Sequence, residues 1–111
     1  MESLLSGINR QKERRYIRAR ALIEDLIRIL VEKYPVKKIV LIGSCLDKDR
    51  FHFHSDIDLC VKGLEGSLYF QALGELLINA GEFNVDLIPM EDATKRMKEY
   101  IEKGEVLYNE R

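Results

Sequence analysis

The stretch GSCLDKDRFHFHSDIDLCV, residues 43–61, closes one apolar run and opens another. Before it stands KKIVLIG, a β-branched run ended by a glycine, and within it begins SDIDLCVKG, where acids alternate with aliphatic residues. Both read as strands bounded by turn signals, with residues 44–54 as a polar, irregular loop between them. In a strand, positions i and i+2 point to the same side, roughly 6.5–7 Å apart. Asp56 and Asp58 therefore share one face, while Ile57, Leu59 and Val61 take the other, toward a core. Two neighbouring carboxylates repel each other and are costly without cations. A divalent metal is the simplest remedy. Hard oxygen donors on a rigid strand suit Mg²⁺, which keeps several waters and takes further ligands from phosphates.

Asp86 repeats the pattern inside FNVDLIP, a third short strand closed by Pro89. If that strand lies beside the second, Asp86 joins the pair. Three carboxylates then surround a two-metal site of the kind that clamps the attacking and leaving oxygens of an in-line displacement at phosphorus. Solvent-exposed residues on an open sheet face would account easily for one such aspartate, and poorly for three placed alike.

The remaining chain supplies helices for this sheet. Residues 1–9 read as a short leader. From about Arg10 to Tyr34, Ala19, Leu22, Ile23, Leu26, Ile27 and Leu30 form one stripe of a helix that Pro35 stops. Ser67 is the expected N-cap of LYFQALGELLINA, with Phe70, Leu73, Leu76, Leu77 and Ala80 on one face and Gly81 at its end. A last helix is expected over Glu91 to Lys103, with Ala93, Met97, Tyr100 and Ile101 on one side, and the tail EVLYNER suits an edge strand. The short link between the first two strands favours antiparallel pairing, and the helix between the second and third favours a crossover. The fold class is α/β (α+β): a small mixed sheet with helices packed on it.

The length of 111 residues suits a single domain, 1–111, without room for a second substrate-binding domain. A net charge of −1 gives no global pull toward nucleic acid or anionic lipid. No apolar run approaches a membrane span. Cys45 and Cys60 form no CxxC pair and no export signal is visible, so reduced thiols and a cytoplasmic setting are expected. His52 and His54 precede the acids in an HxHxDxD run that would suit Zn²⁺ or Mn²⁺, although exposed loop histidines between packing phenylalanines are the stronger reading. The basic run RQKERRYIRAR could meet nucleic acid or an acidic partner, although on an amphipathic helix a solvated face is the stronger reading. No histidine-based dyad accompanies Cys45, which argues against a nucleophilic role, and Cys60 reads as a small packed residue.

Gly43 allows positive φ and a close backbone approach to a ligand, and Ser44 adds a hydroxyl beside converging amides. A strand ending in Gly-Ser, a loop, then Ser-Asp-Ile-Asp-Leu resembles the minimal nucleotidyltransferases of the DNA polymerase β-like nucleotidyltransferase superfamily. The likeness extends over about residues 10 to 108, through the acid in VDLIP and the ending GEVLY. It implies the nucleotidyltransferase fold. It also implies that Gly43 and Ser44 hold the β,γ-phosphates of ATP, that Asp56 and Asp58 bind two Mg²⁺ ions, and that Asp86 completes the metal site and takes the acceptor's proton. Two departures stand out: the loop 45–55 is one residue longer than usual, and Cys45 stands where an arginine commonly follows Gly-Ser. Lys48 and Arg50 are the loop cations available to meet phosphate charge instead. Such proteins often accompany a HEPN-type toxin, so the resemblance implies an antitoxin that transfers AMP to a tyrosine of that partner, in a homo- or hetero-oligomer. The alternatives are a non-catalytic module that neutralises its partner by stoichiometric contact, and a nucleotidyltransferase for a small molecule.

Overall fold

The computed structural model describes residues 3–110. Helix α1 (Leu4–Lys33) is followed by strands β1 (Lys38–Ile42) and β2 (Ile57–Lys62), helix α2 (Tyr69–Ile78), strand β3 (Val85–Pro89), helix α3 (Lys95–Glu102) and strand β4 (Glu105–Asn109). The four strands form one sheet in the order β3-β2-β1-β4. β1 is antiparallel to both β2 and β4, and β2 is parallel to β3. The mixed sheet, the crossover through α2 and the C-terminal edge strand all match the expectation. Among the described residues no helix is long and apolar enough to cross a membrane.

α1 begins at Leu4 rather than near Arg10, because the Ser3 side chain accepts the backbone N–H of Ser6 and caps it. Most of the leader is thus helical, with residues 1 and 2 outside the described part. Tyr34, extended before Pro35, ends the helix. Ala19, Ile23, Leu26 and Leu30 form its buried stripe and meet Ile39, Leu41, Ile57, Leu59 and Val61 from the sheet. The strand alternation is thereby explained: odd residues of β1 and β2 enter this core, and even ones face the other way.

α2 departs from its sequence reading. It starts at Tyr69 after a 3-10 turn (Gly66–Leu68), its cap is Leu68, and Ser67 makes no cap bond. The buried stripe is Ala72 and Leu76, continued by Ala80 beyond the helix, while Phe70 is 80% exposed and Leu77 46%. Tyr69 settles the rotation. Its hydroxyl donates to the Leu87 carbonyl at 2.7 Å, which anchors this side of the helix on β3 and turns Phe70 outward.

The opposite sheet face carries a smaller apolar cluster: Val40, Ile42 and Cys60, with Ile88, Met90, Met97 and Ile101 against them. α3 begins later than expected, after a separate 3-10 turn (Met90–Asp92), and leaves Tyr100 half exposed. Thr94 caps it by accepting the Met97 N–H at 3.2 Å. Thr94→Ala is expected to cost about 1 kcal/mol in urea unfolding, because one N-terminal amide loses its partner. Gly104 lets the chain turn close under the sheet, since a Cβ there would stand 2.6 Å from the Leu41 carbonyl oxygen.

Candidate active site

The site forms where β1 ends beside the beginnings of β2 and β3. Ile42, the last residue of β1, is paired with Asp58, and Asp58 is paired in turn with Asp86 across the parallel ladder. Directly opposed residues of neighbouring strands face the same side, so Asp58 and Asp86 stand next to each other on the face away from α1 and α2. Asp56 lies just before β2 rather than inside it and is exposed. Asp58 and Asp86 are therefore adjacent, and Asp56 is near enough for its charge to act on Asp58.

Their mutual repulsion is visible in Asp58. Burial, then the charges of Asp86 and Asp56, push its carboxyl up to about 6. Among the described residues, no cation is one of the groups that act on it. Such a surplus of negative charge on hard oxygen donors is what a divalent ion relieves, so the donor set fits Mg²⁺. Among the described residues no group of three or more His, Cys, Asp or Glu side chains is placed to hold a metal ion by itself. An Mg²⁺ site that takes ligands from phosphates and water does not need one.

Gly43 sits against this group with φ +82, and a Cβ on it would stand 2.7 Å from Asp58 Oδ2. Both the backbone conformation and the space exclude a side chain. Gly43 opens a 3-10 turn (Gly43–Leu46), whose first amides have no carbonyl partner within the turn. The Ser44 hydroxyl donates to Ser55 Oγ at 2.7 Å, and Ser55, which is buried, also accepts the His52 N–H at 2.9 Å. Ser55 thus ties the two ends of the long loop together, a role that the sequence reading missed. Its signal was a serine directly before the DxD pair.

The loop places its other residues away from the acids. Phe51 is fully buried and meets Tyr16 edge-to-face at 5.4 Å, whereas Phe53 is 42% exposed, so only one phenylalanine anchors the loop. His52 and His54 are exposed, and the His54 N–H donates to His52 Nδ1 at 3.2 Å. Lys48 is paired with Glu13 at 3.6 Å and Arg50 with Asp47 at 3.4 Å, both on the surface. The cation that does touch the turn is Arg20, whose Nη1 donates to the Cys45 carbonyl at 3.3 Å and whose Nη2 meets Glu105 at 2.7 Å. Spacing alone could not single out Arg20, since it lies in the middle of a basic helix.

That basic run also does more than face solvent. Arg15 and Arg18 both reach Glu82, and Arg15 lies over the Phe83 ring at 4.4 Å. Cys45 is buried and its thiol donates to the Asp56 carbonyl at 3.3 Å. Burial and the nearby Asp58 charge push it up to about 11, and the same causes act on Cys60, so neither is a ready thiolate.

Comparison with known proteins bears on the family and the fold. The polymerase beta nucleotidyltransferase family matches residues 24–111. Among solved structures, the toxin–antitoxin MntA–HepT is similar at 21% identity and a TM-score of 0.62, over 81% of this chain and 72% of that one. The complex of an MNT antitoxin with a tri-AMPylated HEPN toxin of Shewanella oneidensis matches at 22% identity and 0.62, over 82% and 72%. A toxin–antitoxin with AMP-PNP matches at 23% and 0.62, over 82% and 73%. At these identities the likeness is one of fold. No curated protein matches the chain.

Proposed function

This chain belongs to the polymerase beta nucleotidyltransferase family, and from that premise we propose that it is a Mg²⁺-dependent antitoxin that transfers AMP from ATP to a tyrosine hydroxyl of a HEPN-type toxin. The observation that carries the reading is the pairing of Asp58 with Asp86 beside Gly43, with Asp56 one step before the strand. The similar solved complexes, one with a tri-AMPylated HEPN toxin and one with AMP-PNP, support the partner and the nucleotide.

In this reading the Gly43–Ser44 turn holds the β- and γ-phosphates, with Ser55 holding the Ser44 side chain and Arg20 holding the turn's backbone. Asp56, Asp58 and Asp86 would hold Mg²⁺, which when bound supplies charge neutralisation at the phosphates. The acceptor hydroxyl attacks the α-phosphorus, the bond to the β-phosphate's bridging oxygen breaks, and pyrophosphate leaves. Asp86, on the outermost of these strands, takes the hydroxyl proton. Lys48 and Arg50 would have to leave their present surface partners to reach the phosphates.

The test is to incubate the chain and its co-purifying partner with α-labelled ATP and Mg²⁺. Label is expected on a partner tyrosine. A partner that is silenced without taking up label would overturn the catalytic reading and leave stoichiometric binding.

A further inference from the structure

We propose that the arginine face of α1 beside Phe53 binds single-stranded nucleic acid, through its phosphates and a stacked base. Residues 10–20 hold six cationic side chains and one acid, Glu13, although the net charge of the whole chain is −1. Positive charge is therefore concentrated on one short stretch of one helix. Within it Gln11, Arg14, Arg15 and Arg18 recur at helical spacing and share a face. Together with Phe53 they line a cavity of about 310 Å³. Arg15 and Arg18 share a single carboxylate, Glu82, and Arg14 is exposed, so this wall keeps a surplus of positive charge.

The loop presents Phe53 to that wall from two anchors. Phe51, two residues earlier, is fully buried and meets Tyr16 of α1 edge-to-face. Ser55, two residues later, is buried and accepts the His52 N–H at 2.9 Å. Phe53 stands between them, half exposed beside the guanidiniums. A ring held on a pinned loop has less freedom to lose when a ligand stacks on it. Aromatic surface next to a cationic wall is the combination that grips single strands: arginine forks take phosphate oxygens, and the ring takes a base. An acidic peptide would satisfy the arginines and leave Phe53 without a planar partner. A duplex keeps its bases stacked inside and offers none to the ring.

This site is separate from the carboxylates. The buried stripe of α1 packs on the odd-numbered side chains of β1 and β2, whereas Asp58 and Asp86 face the other way. The proposal therefore stands apart from the nucleotidyl-transfer reading.

The experiment is fluorescence anisotropy on the full chain with fluorescein-labelled oligouridylate, oligothymidylate and oligoglutamate. Both oligonucleotides are expected to bind, more weakly as salt is raised, and the tighter of the two identifies the sugar. Phe53→Leu keeps apolar cover over the arginine stems but removes the ring, and is expected to weaken both oligonucleotides about tenfold with the salt slope unchanged. Arg14→Gln is expected to reduce the slope of log K against log salt by about 0.7, the contribution of one phosphate contact. It changes an exposed side chain, so its result stands whether or not Phe53→Leu alters the loop. Excess AMP-PNP with Mg²⁺ is expected to leave the oligonucleotides bound. Displacement by AMP-PNP would place them in the carboxylate site and overturn the proposal. Failure of both oligonucleotides to bind at low salt overturns it too, as does full affinity in Phe53→Leu. Oligoglutamate that binds as tightly as the oligonucleotides also overturns it, and assigns the face to an acidic peptide.

Discussion

Asp58→Asn is expected to lower transfer of label from α-labelled ATP by about 10²–10³-fold, the scale seen when one electrostatic stabiliser of a transition state is removed. Asn keeps the shape of Asp but carries no charge, so the loss isolates electrostatics from packing. The same variant is expected to be more stable than wild type when no metal is present. Asp58 is raised from 3.8 to about 6 in the folded protein, so the folded state holds this proton more tightly than the unfolded one. Its contribution to stability is full below about pH 3.8 and is lost as pH rises through about 6. Because the side chain is partly solvated, the cost of ionising it is about 1–2 kcal/mol. Thermal unfolding in EDTA should then show Asp58→Asn melting higher than wild type at pH 8, with the gap closing by pH 4. Adding Mg²⁺ should raise the melting temperature of wild type only. A variant that melts lower than wild type at pH 8 without metal would contradict the repulsion argued for this site.

Gly43→Ala is expected to cost at least about 2 kcal/mol and to remove nucleotide binding. The φ of +82 at Gly43 is unfavourable for any residue with a Cβ, by about 1–2 kcal/mol. The new methyl would also stand 2.7 Å from Asp58 Oδ2, so either the turn or the carboxylate must move. These two costs can be separated in a double-mutant cycle. In an Asp58→Ala background the clash disappears and only the backbone strain remains, so Gly43→Ala should cost less there. Equal costs in both backgrounds, measured by urea unfolding, would show that the contact with Asp58 does not constrain the turn.

How much of this site was legible beforehand differs from residue to residue. Asp58 was legible as an acid on the face away from the core because strand alternation is local and depends only on backbone geometry over three residues, whereas Asp56, expected beside it in the strand, precedes β2. The positive φ at Gly43 was legible because few residues but glycine serve at such a turn. The roles of Lys48 and Arg50 were not legible, since long charged side chains go to whichever opposite charge the fold brings near, here Glu13 and Asp47. Arg20 is the counterpart: it reaches Cys45 and Glu105 only because α1 packs beside the turn. The outward face of α2 was misread for a related reason. Phe70 and Leu77 are apolar, and periodicity alone lets several stripes compete. The contact of Tyr69 with β3 chose between them.

The order of elements, the alternation that puts aliphatic residues inside and acids outside, and the turn at Gly43 follow from the chain's own residues. Each is governed by interactions between near neighbours. The placement of Asp86 opposite Asp58, 28 positions away, is of another kind. It depends on the parallel pairing of β2 with β3, which the crossover through α2 permits and the burial of Leu59 and Leu87 in the core holds in register. A slip of one residue would turn Asp86 into the core, so packing rather than local preference assembles the third carboxylate into the site.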